Sequence, residues 1–269
     1  MMNNKAIATL LIGDAYIKVF NEYFRKDWTA YCSRYDIDLV IIEAPLDTSE
    51  RASKRSPAWQ KCIIHQHPSL KRYDQIAWVD ADIKIRRNAP NIFNGIPIEK
   101  IGATDEYATP TPEDHYAILK NNYDKWDQLG VKYIRNLTPQ EYHENFGLKG
   151  TWSNVVQTGV FVYSPKIHSE ILERVYNNYE DKGHASWNYE MRPLSHEMIS
   201  SGNVQWLSPK FNMVWNYYKE YYYPFLETEY TSRFRKKRAK KLYSDCVKTA
   251  FENNYFLHFA GGSTSYKLL

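Results

Sequence analysis

Short apolar runs alternate with longer amphipathic stretches along this chain. The run Ala6-Ile7-Ala8-Thr9-Leu10-Leu11-Ile12 is brief and β-branched, and Gly13-Asp14 ends it, so it reads as a buried parallel strand. From Ala15 to Arg34 the apolar positions Ile17, Phe20, Phe24, Trp28 and Tyr31 keep helical spacing. Asp38-Leu39-Val40-Ile41-Ile42 is a second buried strand, which completes a βαβ unit of right-handed crossover. A polar loop from Pro45 to Pro57 precedes a helix expected to start near Ala58 and to carry Trp59, Lys61, Ile63 and Ile64. Gln75 to Asp80, Lys100 to Thr104 and Val155 to Tyr163 read as further strands, and Ser169–Tyr179 and Leu194–Ser201 as helices. This alternation predicts one α/β domain over residues 1–269 with a mostly parallel central sheet.

Residues 107–149 break the alternation with Pro110, Pro112, Pro139 and many polar groups. They read as an insertion over one rim of the sheet, either lining a site or running as a mobile surface excursion. Composition adds little beyond a soluble globular class, apart from 23 Tyr and 8 Trp, which suit sites that stack flat rings or sugars. Lys and Arg exceed Asp and Glu by only 35 to 31, which does not point to a dedicated nucleic-acid binder. Cys32, Cys62 and Cys246 show neither zinc spacing nor a disulfide framework, and no run resembles a secretion signal or membrane span. A reducing, cytoplasmic setting is expected.

Two segments carry chemistry. Asp80-Ala81-Asp82 closes the strand Ile76-Ala77-Trp78-Val79. A spacing of two puts both carboxylates on one side of extended chain, where their mutual repulsion is relieved by a hard divalent cation, Mn²⁺ or Mg²⁺. In open α/β sheets, ligands bind beyond the carboxyl ends of strands, which is where this pair falls. His258 lies in the nearly apolar run Phe256 to Ala260, followed by Gly261 and Gly262. A neutral imidazole is a suitable third ligand, although a lone histidine in such a run is more often a hydrogen-bonded core residue.

Four segments, in order along nearly the whole chain, resemble the glycogenin-type glycosyltransferases of the GT-A (Rossmann-like) fold. They are Ala8 to Tyr16; Trp59-Gln60-Lys61 with Tyr73 to Asp82; Gln157 to Pro165; and His258-Phe259-Ala260-Gly261. The resemblance implies that Leu10, Ile12, Gly13 and Tyr16 contact the nucleobase and ribose, with Tyr16 stacked on the base. It implies that Lys61 faces the donor's phosphate or sugar, and that Asp80, Asp82 and His258 hold Mn²⁺ or Mg²⁺ against the diphosphate. Asp105, Thr158 and Gly159 would border the donor sugar, and Gly261 would offer its N–H to phosphate. Retention of configuration and a UDP-sugar donor, UDP-glucose or UDP-galactose, come from the same source.

The chain departs from the family at Gln157, where Asn or Asp is usual, and at Thr264, where the family has a phosphate lysine. Lys267 is the nearest substitute. For the carboxylate near the acceptor, Glu190 fits by offset and Glu197 is the alternative, since Leu194 and Met198 turn it to the rim of a helix face. The basic segment 231–248, densest at 233–241, is read first as a solvated face and second as a contact for anionic membrane or an acidic glycan, without nucleic acid. The leading expectation is a metal-dependent transferase moving a hexose from a nucleotide sugar to a glycan, lipid-linked or other hydroxyl acceptor. A nucleotidyltransferase would show a glycine-rich, basic N-terminal loop, which Gly13-Asp14-Ala15 is not. A non-catalytic carbohydrate-binding protein would not need Asp80, Asp82 and His258 together.

Overall fold

The computed structural model describes residues 4–181, 190–226 and 236–269. A six-stranded sheet runs in the order β2-β1-β3-β6-β5-β7. Its strands are β1 (Lys5–Leu10), β2 (Asp38–Ile42), β3 (Gln75–Val79), β5 (Ile101–Asp105), β6 (Val156–Tyr163) and β7 (Val204–Trp206). The sheet is mostly parallel, as expected: β1 pairs in parallel with β2 and β3, and β5 with β7. Only β6 is inverted, antiparallel to both β3 and β5. Hydrophobic pattern fixes which residues form a strand and says nothing of its direction.

Side-chain alternation divides the core between the two faces of the sheet. Ile7, Ala77, Val79, Val160 and Val162 join one cluster, with Phe20, Phe24 and Trp28. Their neighbours Ala6, Ala8, Ile76, Trp78, Phe161 and Tyr163 join the other, with Trp59 and Leu194. The first face is covered by α1 (Asp14–Tyr23) and α2 (Arg25–Arg34), which the periodicity had suggested as one helix. The break falls at Phe24 (φ −118°, ψ −43°) and redirects the chain while keeping Phe20, Phe24, Trp28 and Tyr31 buried. After the short α3 (Glu50–Ser53), the stretch expected to form an α-helix near Ala58 is instead a 3₁₀ coil, Pro57–Gln66. Every side chain from Trp59 to His65 is buried in it, so no solvent face exists to impose a 3.6-residue period. With α6 (Pro165–Asn178) and α7 (Met191–Ser200) it covers the second face.

A second, three-stranded sheet was not anticipated. It comprises β4 (Ile83–Ile85), β8 (Met213–Val214) and β9 (Phe256–His258), in the order β4-β9-β8. These strands are two or three residues long, below what periodicity can detect. Between β8 and β9 lie α8 (Trp215–Tyr222) and α9 (Lys236–Asn253). Of the basic run 233–241, Arg233 to Arg235 lie outside the described residues, while Arg238, Lys240 and Lys241 are exposed on α9. Among the described residues no helix is long and apolar enough to cross a membrane.

The stretch 107–149 carries its own helices. α4 (Pro112–Leu129) starts with Thr111 accepting from the Asp114 N–H and Pro112 in the first turn, and ends at Gly130 in the left-handed region. α5 (Pro139–Glu144) has a reciprocal capping box between Thr138 and Glu141. Tyr107, Leu119, Tyr123, Leu137, Tyr142 and Val155 bury one another beneath these helices. His143 ties the insertion to the main body: its Nδ1 donates to the Pro139 carbonyl (2.9 Å) and its Nε2 accepts from the Ser195 hydroxyl (3.1 Å). Ser195 Oγ in turn accepts the Val156 N–H (2.8 Å). Burial pushes the His143 pKa down to about 4.

The unfolded chain therefore takes up this proton near pH 6.5, well before the folded protein does. The associated stability is present above about pH 6.5 and is lost as pH falls toward 4. Urea unfolding of wild type is expected to lose about 2 kcal/mol more between pH 7 and pH 5 than that of His143→Gln. Equal pH slopes for the two proteins would remove His143 from this role.

Candidate active site

Asp80 follows the last residue of β3, and its N–H donates to the Gly159 carbonyl (2.8 Å). Asp82 precedes β4, whose Ile83 pairs with His258 of β9, and the Phe259 N–H donates to the Asp82 carbonyl (3.1 Å). The small sheet thus carries a residue from the end of the chain to the carboxyl edge of β3. His258 Nε2 stands 3.1 Å from Asp82 Oδ1 and 3.9 Å from Asp80 Oδ2. All three ligand atoms lie within 4.8 Å of one another. Two oxygen or nitrogen ligands about 2.1 Å from an octahedral cation stand about 3 Å apart, so this donor set fits Mg²⁺ or Mn²⁺.

A residue outside the sequence-based set fixes the histidine. Asn212 Oδ1 accepts from His258 Nδ1 (2.9 Å), which turns Nε2 toward the carboxylates, where it donates to Asp82 when protonated and is free to ligate a cation when it gives that proton up. The Asn212 amide is held by its own bond to Gln157 Oε1 (2.7 Å), and the same oxygen accepts the Gly159 N–H (2.7 Å). Gln157, noted as a departure, therefore supports His258 at one remove. The only signal for Asn212 was a polar residue between Phe211 and Met213. Gly159 is required by space: a Cβ there would lie 2.6 Å from His258 Cε1. The approach arises because β6 slips against β5, pairing Gly102 with Val162 but Thr104 with Gln157.

The electrostatics follow from burial opposed by charge. Burial disfavours the imidazolium of His258, but Asp82 and Asp80 outweigh it and hold the pKa above its ordinary value. Burial raises Asp80 despite Lys61 and His258, whereas His258 overcomes burial and lowers Asp82. Lys61 is not a solvated helix lysine. It is 3% exposed, with Nζ 3.0 Å from Asp80 Oδ1 and 2.8 Å from Glu190 Oε1. The Thr158 carbonyl accepts from it as well (3.4 Å), and Trp78 Nε1 donates to Asp80 Oδ1 (2.7 Å). Asp80 thus spends one oxygen on Lys61 and Trp78 and turns the other toward His258.

The two carboxylate candidates separate. Glu190 is 1% exposed, is tied to Lys61, and keeps Oε2 buried without a hydrogen-bond partner. Glu197 accepts from the Tyr179 hydroxyl (2.6 Å) and pairs with Arg174 of α6 (3.4 Å), so the structure does not bring it to the Asp80 cluster. Asp105 is the last residue of β5 rather than just past it. Its oxygens are taken by the N–H groups of Tyr107 (3.0 Å) and Val155 (3.1 Å) and by the Asn154 amide (2.6 Å), which closes the neck of the insertion.

A cavity of about 520 Å³ opens beside Asp80 and Asp82, lined also by Leu10, Ile12, Tyr16, Lys61 and Tyr266. Tyr16, 70% exposed, stands at its rim in the first turn of α1, which Gly13 enters at φ +98°. Gly262 and Ser263 form part of the wall, directly after Gly261. Lys267 instead lines a neighbouring cavity of about 510 Å³, with Lys219 and Tyr243. Glu106, next to Asp105, was also missed. Its Oε1 accepts from the Tyr217 hydroxyl (3.2 Å), and burial pushes its pKa up to about 7.

No model of a known protein family matches the sequence, and no curated protein sequence matches it. Solved structures do. A glycosyltransferase involved in the glycosylation of the major capsid of PBCV-1 is similar over 98% of this chain and 96% of that one, at 13% identity and a TM-score of 0.53. An active-site mutant of LgtC is similar over 98% of this chain and 93% of that one, at 12% identity and a TM-score of 0.52. The chain has the GT-A fold of these glycosyltransferases. At such identities the likeness is one of fold.

Proposed function

We propose that this chain is a metal-dependent glycosyltransferase that moves a hexose from a nucleoside diphosphate sugar to a hydroxyl of a glycan or lipid-linked acceptor, with retention. The observation that carries the reading is the grouping of Asp80, Asp82 and His258, whose two carboxylates line a cavity with Tyr16 at its rim. UDP-glucose and UDP-galactose are the leading donors.

In this reading Tyr16 stacks on the base, Leu10 and Ile12 flank it, and Asp80, Asp82 and His258 hold the cation. A bound Mn²⁺ would neutralise charge on the diphosphate as it leaves. Lys61 holds Asp80 and Glu190 in register beside Thr158. Glu190, with one carboxylate oxygen unpaired, offsets positive character at the sugar carbon. The bond from that carbon to the phosphate oxygen breaks, with its electron pair leaving on UDP. The acceptor oxygen bonds to the same carbon, and its proton passes to the departing phosphate or solvent. Contact of 233–241 with an anionic membrane belongs to the same proposal.

The reading is tested by incubating the protein with UDP-glucose or UDP-galactose, with Mn²⁺ and with chelator. Metal-dependent release of UDP and free sugar supports it. Pyrophosphate release would indicate a nucleotidyltransferase, and silence across both donors a binding protein. The base assignment has its own check. A ring stacked on a base contributes about 1–3 kcal/mol, so Tyr16→Ala is expected to weaken UDP roughly ten- to a hundred-fold, with Tyr16→Phe near wild type. Because Tyr16 is 70% exposed, its truncation has little burial to lose. Calorimetry showing equal UDP affinity in Tyr16→Ala would end the stacking claim.

A further inference from the structure

We infer that the cavity between α8, α9 and residues 264–268 is a second anion site, which takes a phosphate group through Lys219 and Lys267. The inference goes beyond the glycosyl-transfer reading and uses none of the residues to which that reading gives a role. The cavity measures about 510 Å³ and is lined by Lys219 of α8, Tyr243 of α9, and Thr264, Ser265 and Lys267. Its volume lies within the range of about 300–1,000 Å³ typical of small-ligand pockets. No Asp or Glu lines it. Among the described residues neither ammonium has an ion-pair partner.

Two like charges that share one concave space repel each other, and the surrounding low-dielectric walls focus their field on that space. A multiply charged oxyanion relieves the repulsion. The hydroxyl groups of Thr264 and Ser265 add donors beside the ammonium groups. Phosphate suits this set, because it presents several acceptor oxygens and more than one charge to lysines acting as point charges. A carboxylate, with a single charge, would answer only one of them. The site is also distinct from the cavity beside Asp80 and Asp82. Gly262, Ser263 and Tyr266 line that first cavity, and Tyr266 packs against Tyr23 (5.1 Å) and Phe24 (5.0 Å). Ser265 Oγ stands 2.8 Å from Tyr243 Oη, which also accepts from Trp215 Nε1 (3.2 Å). The stretch from Ser263 to Lys267 is therefore anchored to α1 through one residue and to α9 through the next, and it walls the two spaces from each other. Lys267 opens onto the second space and not onto the first.

The probe is inorganic pyrophosphate, titrated by calorimetry in chelator into wild type, Lys219→Met and Lys267→Met. Each substitution removes a charge-assisted contact, so each variant is expected to bind about ten-fold or more weakly than wild type. UDP is titrated separately with Mn²⁺, and its affinity is expected to match wild type in both variants. Vesicles of phosphatidylcholine with and without phosphatidic acid identify the source of the phosphate. Capture by phosphatidic acid that both substitutions abolish assigns a lipid headgroup, and pyrophosphate binding without such capture assigns a soluble phosphate ester. Absence of pyrophosphate binding by wild type, or an unchanged affinity in either variant, overturns the inference. Loss of UDP affinity in step with pyrophosphate overturns it as well, because the lysines would then serve the diphosphate of the first cavity. Lys267 is exposed and Lys219 half-buried, so neither substitution empties the core, and equal melting points confirm that the variants fold.

Discussion

Asp82→Asn is expected to abolish Mn²⁺-dependent donor turnover while the fold persists. Asp82 supplies the carboxylate oxygen nearest to His258 Nε2, at 3.1 Å, and its side chain is 42% exposed. Its main work is therefore at the cluster rather than in the core. A hard divalent cation bound by two carboxylates and one imidazole loses a full charge and its best oxygen when one carboxylate becomes an amide. Charge-assisted contacts are about twice as strong as neutral ones, so a fall of about two to three orders of magnitude in Mn²⁺ affinity is expected. The measurements are Mn²⁺ titration by calorimetry and the melting point in chelator. Wild-type turnover in Asp82→Asn at limiting Mn²⁺ would remove Asp82 from the metal site. His258→Ala also removes the partner of Asn212 Oδ1.

Lys61→Met is expected to give the largest loss of stability of any single substitution in the site. The ammonium is buried between Asp80 and Glu190, and the Glu190 side chain is 2% exposed. Burial works against the charged amine, yet the two carboxylates win and raise its pKa. Methionine keeps most of the side-chain volume and strands two carboxylates. Breaking a buried pair by removing one partner costs about 3–5 kcal/mol, which for a chain of this size is a melting-point drop on the order of 10 °C. Adding Glu190→Gln to Lys61→Met is expected to restore several degrees, because the stranded charge is then gone. A double variant no more stable than Lys61→Met would show that the cost lies in packing against Trp78, whose ring is 5.4 Å from Nζ, rather than in charge.

The sequence by itself determined β1, β2, β3, β5 and β6, their faces and most of the chemical inventory. Alternation along Ile76-Ala77-Trp78-Val79 already assigns Trp78 and Val79 to opposite cores, because a strand's side-chain period is fixed by backbone geometry. Asp80-Ala81-Asp82 could be recognised because the carboxylates are neighbours in sequence, so local geometry alone brings them together. His258 could be suspected, but its meeting with Asp82 rests on the ladder between β4 and β9, two strands of three residues each. Such strands carry no periodic signal, and their pairing spans most of the chain.

Partner choice was equally hidden. The family's offset offered Glu190 and helical spacing offered Glu197, and only packing showed that the first meets Lys61 and the second meets Tyr179 and Arg174. The inverted β6 and its slip at Gly159, the Asn212 bond that aims His258, and the pairing of Glu106 with Tyr217 are decided by hydrogen bonds between distant segments. Burial is a property of the assembled chain, so the raised Glu106 and the buried Lys61 appear only once the sheet, the insertion and α8 have closed around them.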